Sequence, residues 1–255
     1  MMKYILITIL SLNLLACSVL SDPKTEDWSA SKIYEEAKDA FAVGDYETAI
    51  RYYELLEARY PFGKYAQQAQ FEIIYSYYKY EEPASAIAAA DLFIKLYPRH
   101  PQVDYAYYLK GLVNFELHQG TLDRFLPVDR SQREQMAAVQ SFQDFSELIA
   151  RFPNSKYSKD ARQRMIHLRN RAAQHELHVA NFYMKREAYL AAANRAKTIL
   201  ESYQRTPAVP EALVILARAY KIIGLQDLSD STLAILKLNY PSHPGISRIE
   251  NLTAR

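Results

Sequence analysis

Apolar side chains recur along this chain at helical spacing. Ile33, Ala37, Ala40 and Phe41 fall on one face, as do Phe71, Ile74, Tyr75 and Tyr78, and then Ala86, Ala90, Phe93 and Tyr97. The series continues with Tyr105, Tyr108, Leu109 and Leu112, and with Phe142, Phe145, Ile149 and Phe152. Ala161, Met165, Leu168 and Ala172 follow, then Leu213, Leu216, Ala217 and Tyr220. Steps of three and four place residues on one side of an α-helix, because its period is 3.6. No sustained alternation of apolar and polar positions marks a strand, so an all-α chain is predicted.

The helices are punctuated. An aromatic followed by proline stands at Tyr60-Pro61, Tyr97-Pro98, Phe152-Pro153 and Tyr240-Pro241, with a weaker marker at Tyr203 and Pro207. Proline cannot continue a helix, so each marker reads as a helix end. Gly44 and Gly224 each lie 17 residues before such a proline, where a tight turn between two helices needs conformational freedom. Pro83, Pro101 and Pro210 sit where first helical turns are expected. Five helix pairs follow, over 29–61, 64–98, 101–153, 155–207 and 208–241. The run from Gly44 to Tyr53, ending at Pro61, resembles the second half of a tetratricopeptide repeat. The expected fold is a right-handed α-solenoid of about five such pairs, in which stacking buries the apolar faces that single pairs leave open. Segment 119–131 breaks the pattern and reads as a long loop, with Asp129, Arg130 and Ser131 supplying a local ion pair or turn.

The amino terminus is of a different kind. Lys3 supplies a short positive region, and Tyr4 to Leu15 a mostly apolar run of about the length found in signal peptides. A spanning helix needs about 20 apolar residues. Residues 1–16 therefore read as a signal peptide. Leu14-Leu15-Ala16-Cys17 resembles the lipobox of bacterial lipoproteins, and Cys17 is the chain's only cysteine. That resemblance implies cleavage before Cys17 and acylation there, each buried methylene contributing roughly 0.8 kcal/mol of membrane affinity. Ser18 in place of aspartate implies sorting to the outer membrane. Residues 17–28 read as a lipidated tether. The remainder divides into repeats 1–2 at 29–98, repeat 3 with its loop at 99–153, repeats 4–5 at 154–245, and a tail at 246–255.

Composition narrows the function. The 255 residues include 6 glycines and 21 tyrosines, with a net charge of +2. Few glycines argue against phosphate-cradling loops, while tyrosines suit half-exposed binding grooves. Residues 29–98 carry 7 basic and 11 acidic side chains, and residues 151–255 carry 17 and 8, which suggests different partners at the two ends. No glycine-rich nucleotide motif or nucleophile elbow occurs. His175 and His178 flank Glu176, but the zinc-protease spacing differs and no third ligand is evident. Arg162, Arg164, Arg169 and Arg171 could meet phosphates, but an exported chain favours an acidic protein partner or solvent. No catalytic residue, metal, cofactor or nucleic acid is expected.

A denser set of motifs resembles one family. Arg59-Tyr60-Pro61-Phe62-Gly63-Lys64-Tyr65 is followed by Gln67-Gln68 and by Ile74-Tyr75-Ser76-Tyr77-Tyr78-Lys79. His100-Pro101, Asp104-Tyr105, Gly111-Leu112, Asp129-Arg130-Ser131, Pro153-Asn154-Ser155 and Asn194-Arg195 continue the series. Over roughly residues 14–225 this chain resembles the ComL/YfiO family of outer-membrane assembly lipoproteins. It departs at Gln132 to Gln135, at Glu187 where glycine is common, and at Tyr203-Gln204-Arg205-Thr206. The resemblance implies a periplasm-facing, lipid-anchored, non-enzymatic subunit of the machine that folds and inserts β-barrel proteins. Its partners would be the periplasmic domains of BamA, other lipoproteins of that machine, and unfolded outer membrane proteins. The amino-terminal repeats would read the carboxy-terminal aromatic signal of those clients, and the carboxy-terminal repeats would bind BamA. Tyr60, Phe62, Tyr65, Phe71 and Tyr75 are the expected aromatic groove for an extended peptide, although Phe71 and Tyr75 equally suit a core between repeats. Arg195 matches a family arginine that pairs with an acidic group of BamA. The alternative is a repeat lipoprotein that pilots a secretin or pilus system.

Overall fold

Four hairpin turns repeat one geometry and set the architecture. Gly44, Glu81, Glu187 and Gly224 have φ of 82°, 61°, 59° and 79°, all in the left-handed region. The N–H of the next residue bonds back across each turn, from Asp45 to Ala40, Glu82 to Tyr77, Ala188 to Tyr183 and Leu225 to Tyr220, at 2.9–3.0 Å. Such bonds satisfy a carbonyl left open at the helix end. Each turn feeds a second helix of 14 residues: α2 (Tyr46–Arg59), α4 (Pro83–Leu96), α8 (Tyr189–Ser202) and α10 (Gln226–Asn239). Each second helix ends on a tyrosine, namely Tyr60, Tyr97, Tyr203 or Tyr240, with φ between −139° and −123°. Three of the four precede proline, whose ring drives the preceding residue out of the helical region. Tyr203 reaches the same conformation ahead of Gln204, which stands in the proline's place, and Arg205 after it takes φ 63°.

The first helices of the pairs are α1 (Ala30–Val43), α3 (Lys64–Lys79), α5 (Val103–His118), α7 (Ser158–Lys185) and α9 (Val209–Ile222). The remaining two are α6 (Arg130–Arg151) and α11 (Gly245–Glu250). These elements belong to a computed structural model that describes residues 25–118 and 130–252. Cys17 and residues 119–129 of the expected loop lie outside the described residues; Arg130 and Ser131 belong to α6. All described elements are helical, in consecutive packed pairs, as the periodicity predicts. Pro83 and Pro210 occupy first turns, and Ser29 and Asp45 cap α1 and α2 by accepting the N–H of Lys32 and Thr48.

Two compact units divide the chain between Leu148 and Ile149, inside α6. In the first unit, each helix from α1 to α5 packs on its sequence neighbour, and α1 also touches α3, as α3 touches α5. That is the pattern of stacked hairpins. One buried position lies five residues after each turn and takes a small side chain: Ala49, Ala86, Ala192 or Ser229. Another lies twelve residues after it and takes a large one: Leu56, Phe93, Ile199 or Leu236. The small residue lets two helix backbones approach, and the large one fills the space above it. Fully burying such a large side chain contributes roughly 1.5–3 kcal/mol. Helix α6 closes on α5 through Ser141, which donates to the Gly111 carbonyl at 2.9 Å, and through Asn114, which donates to Asp144 at 2.8 Å.

In the second unit, α7 packs on α8, α8 on α9 and α9 on α10, while α7 also meets α9. Helix α11 covers the end of this unit, with Ile249 buried beside Val214 and Leu236. Lys221 donates to the Ile249 carbonyl at 2.8 Å and so holds α11 by its carboxy-terminal turn.

Candidate binding surfaces

The first unit carries an aromatic surface on α1 and α3. Ile33, Ala37 and Ala40 turn inward, so the neighbouring row Tyr34, Lys38 and Phe41 is left half-exposed beside α3. Tyr34 packs on Tyr65 with ring centres 5.4 Å apart, and Lys64 lies 4.8 Å from the Tyr65 ring centre. Phe41 packs on Tyr75 at 5.6 Å, and Tyr46 meets both.

A buried carboxylate fixes this surface from behind. Glu72 of α3 accepts from Tyr53 at 2.6 Å, Gln68 at 2.9 Å, Lys38 at 3.0 Å and Tyr34 at 3.1 Å. Burial, with the Glu72 charge beside them, raises both phenols well above the ordinary tyrosine range, so they remain donors. Three helices are thereby tied through one side chain.

The five expected groove residues are distributed over different environments. Tyr65 and Tyr75 lie on the half-exposed face just described. Phe62 stands 89% exposed after Pro61. Tyr60 is turned back on its own chain, its hydroxyl donating to the Trp28 carbonyl at 3.0 Å. Phe71 is buried between α3, α4 and α5, packed against Phe93 at 5.4 Å, Tyr105 at 5.7 Å and His100 at 5.9 Å. Phe71 therefore serves the interior. Tyr34 and Lys38 carry no assignment from the sequence, and Phe41, grouped there with Ile33, Ala37 and Ala40, stands instead in the half-exposed row beside them. Their spacing of four and three, one position beyond the inward row, is the signal that marks them.

The second unit presents Arg195 on α8. Its Nη1 lies 3.2 Å from Oε2 of Glu176, on α7. Arg195 is 45% exposed and the Glu176 carboxylate 15%. Beside the pair, Tyr183, Ala191, Asn194, Arg195 and Thr198 line a depression of about 310 Å³. The basic residues on α7 differ in setting: Arg164 is bonded to Asp160 at 2.6 Å, Arg169 donates to the Gln204 carbonyl, Arg162, though exposed, donates to the Pro153 carbonyl at 3.4 Å, and Arg171 faces solvent. His175 and His178 are exposed on the same helix. Among the described residues no group of three or more His, Cys, Asp and Glu side chains is placed to hold a metal ion.

Consecutive packed helix hairpins, carrying half-exposed aromatic rings and ion pairs, define an all-α helical-repeat protein. The family described as YfiO, outer membrane lipoprotein, matches residues 26–235, and the chain belongs to that family. Outer membrane protein assembly factor BamD of Neisseria meningitidis serogroup B is 45% identical over 249 residues, covering 95% of this chain and 93% of the relative. The protein of the same name from Vibrio cholerae is 36% identical and covers 93% of this chain and 99% of the relative. A thermophilic TPR protein of Thermus thermophilus is similar at 16% identity and a TM-score of 0.38, over 87% of this chain and 97% of that one, a likeness too loose to add to the assignment. Among the described residues no helix is long and apolar enough to cross a membrane.

Proposed function

We propose that this chain is an outer membrane protein assembly factor that acts by binding, as a non-enzymatic lipoprotein subunit of the β-barrel assembly machinery. The observation that carries this reading is the extent of the likeness to assembly factors: 45% identity over 95% of the chain, spanning both units. An anchor on Cys17 holds the protein to the outer membrane, facing the periplasm. The second unit grips an acidic group on the periplasmic domains of BamA through Arg195. Its partly exposed guanidinium supports this role, since it can meet a carboxylate through two parallel bonds.

The first unit reads the carboxy-terminal signal of unfolded barrel proteins. Tyr65 and Tyr75, with Tyr34 and Phe41 beside them, offer ring faces to an extended peptide, and Phe62 is a free aromatic at the edge. Rings contribute large contact area at low entropic cost.

Affinity purification of the lipidated protein from membranes, with mass spectrometry of what accompanies it, tests the whole reading. BamA and its associated lipoproteins are the expected companions. Recovery of a secretin instead, or of no barrel subunit, overturns it. Charge reversal at Arg195 should lower BamA recovery, and unchanged recovery in high salt removes the assignment of that residue.

A further inference from the structure

We infer that Glu176 is a positioning residue for Arg195, holding the guanidinium so that its remaining edge is presented to a carboxylate on the partner; this rests on the partner-binding role proposed for Arg195.

The geometry is asymmetric. Both oxygens of Glu176 face the same nitrogen of Arg195, Nη1, at 3.2 and 3.5 Å. A guanidinium has five N–H donors in a rigid plane and two edges that can each take a carboxylate. Contact through Nη1 alone leaves Nε and Nη2 as a complete edge. Neither of these atoms bonds to another described residue. The head group is thus held at one corner and available at the opposite side, beside the depression lined by Asn194 and Thr198.

Burial differs across the pair. Glu176 is mostly covered, while Arg195 is nearly half open. The anchoring carboxylate is therefore a covered part of the unit, and the arginine it orients is the group that faces outward. A free arginine loses rotamer entropy when it docks, and one already oriented loses less. The pair also joins α7 to α8 across 19 residues of sequence, so the orientation is set by the packing of two helices.

Glu176 could otherwise act as a competitor that the partner carboxylate displaces. The single-nitrogen contact argues against this, because displacement would be needed only if both edges or the shared Nη2 were occupied.

The test uses the full lipidated chain in detergent and purified periplasmic domains of BamA as the probe. Titrations compare wild type, Arg195→Ala, Glu176→Gln, Glu176→Ala and the double variant Arg195→Ala with Glu176→Ala. Positioning predicts that Glu176→Ala weakens binding roughly three- to tenfold and that Glu176→Gln, which keeps an acceptor, weakens it less. The double variant should bind no more weakly than Arg195→Ala alone. A merely structural role would instead lower affinity equally in both backgrounds. Tighter binding by Glu176→Ala, or equal losses with and without Arg195, overturns the inference. No loss for Arg195→Ala overturns the partner-site reading itself. Glu176→Gln serves the same cycle if Glu176→Ala fails to fold.

Discussion

The hydroxyl of Tyr53 donates to Glu72 at 2.6 Å, and both groups lie inside the first unit, where Tyr53 is 1% exposed. Removing the carboxylate strands this hydroxyl in the interior, while the Lys38 ammonium, 42% exposed, turns to water. Glu72→Ala should destabilise the protein by about 2 kcal/mol, measured by urea denaturation. Tyr53→Phe, which removes one donor and leaves Glu72 three others, should cost about 1 kcal/mol. A neutral Glu72→Ala would mean that the network contributes nothing beyond its packing.

The two turns without glycine are strained. Glu81 and Glu187 adopt the left-handed conformation that Gly44 and Gly224 adopt freely. A residue with a Cβ pays about 1–2 kcal/mol there, partly offset by the greater chain entropy of glycine when unfolded. Glu81→Gly and Glu187→Gly should each stabilise by about 0.5–1 kcal/mol, and Gly44→Ala should lower stability by a similar amount. Thermal melts of the three variants decide the point; unchanged or lower melting temperatures for both glutamate variants would contradict it.

Close packing makes the opposite demand at Gly111. A Cβ there would stand 2.7 Å from the ring of Phe145, which is fully buried. Gly111→Ala should therefore cost roughly 1–3 kcal/mol through overpacking. Pairing it with Phe145→Leu should recover part of the loss, and an alanine that leaves the denaturation midpoint in place would show that the contact can open.

Acid should weaken the first unit through His100. Burial against Phe71 and Phe93 lowers its pKa from 6.5. The folded state thus resists protonation more than the unfolded state does. Stability is full above pH 6.5 and falls as acid charges the unfolded chain first, until the folded histidine is charged too. His100→Gln should flatten this part of the stability profile below pH 6.5, read from denaturation midpoints at stepped pH. An identical slope in the variant would assign the loss elsewhere.

Much of the fold was legible because its punctuation is chemical. Tyr-Pro pairs stop helices by sterics alone, and Tyr60, Tyr97 and Tyr240 stand at those ends. Gly44 and Gly224 were readable as turns for the same local reason. Glu81 and Glu187 were not, since nothing in a glutamate asks for a positive φ; their distance of sixteen residues from Tyr97 and Tyr203 marks them, and at 187 so does the glycine common there in the family. Helix α11 was equally silent, being a single short element fixed by Ile249 and Lys221. At the binding surfaces the limit is different. An aromatic can serve core or groove, and helical spacing alone cannot assign Phe71 inward and Tyr75 to the half-exposed face. The partner of Arg195 lies on another helix, so no local motif announces Glu176.

The amino-terminal end of the described chain is fastened to the first hairpin. Arg59 grips the Thr25 backbone and hydroxyl, Tyr60 holds the Trp28 carbonyl, and the Trp28 ring packs 5.7 Å from that of Tyr52. Only seven residues lie between Cys17 and Thr25, which makes eight steps of chain. Fully stretched they reach about 28 Å at most. If Cys17 carries the acyl anchor proposed for it, that span limits how far the first hairpin, and the peptide site proposed on it, can stand from the bilayer, and cutting the Arg59 and Tyr60 grips would lengthen the reach without altering the Tyr34–Tyr65 and Phe41–Tyr75 contacts.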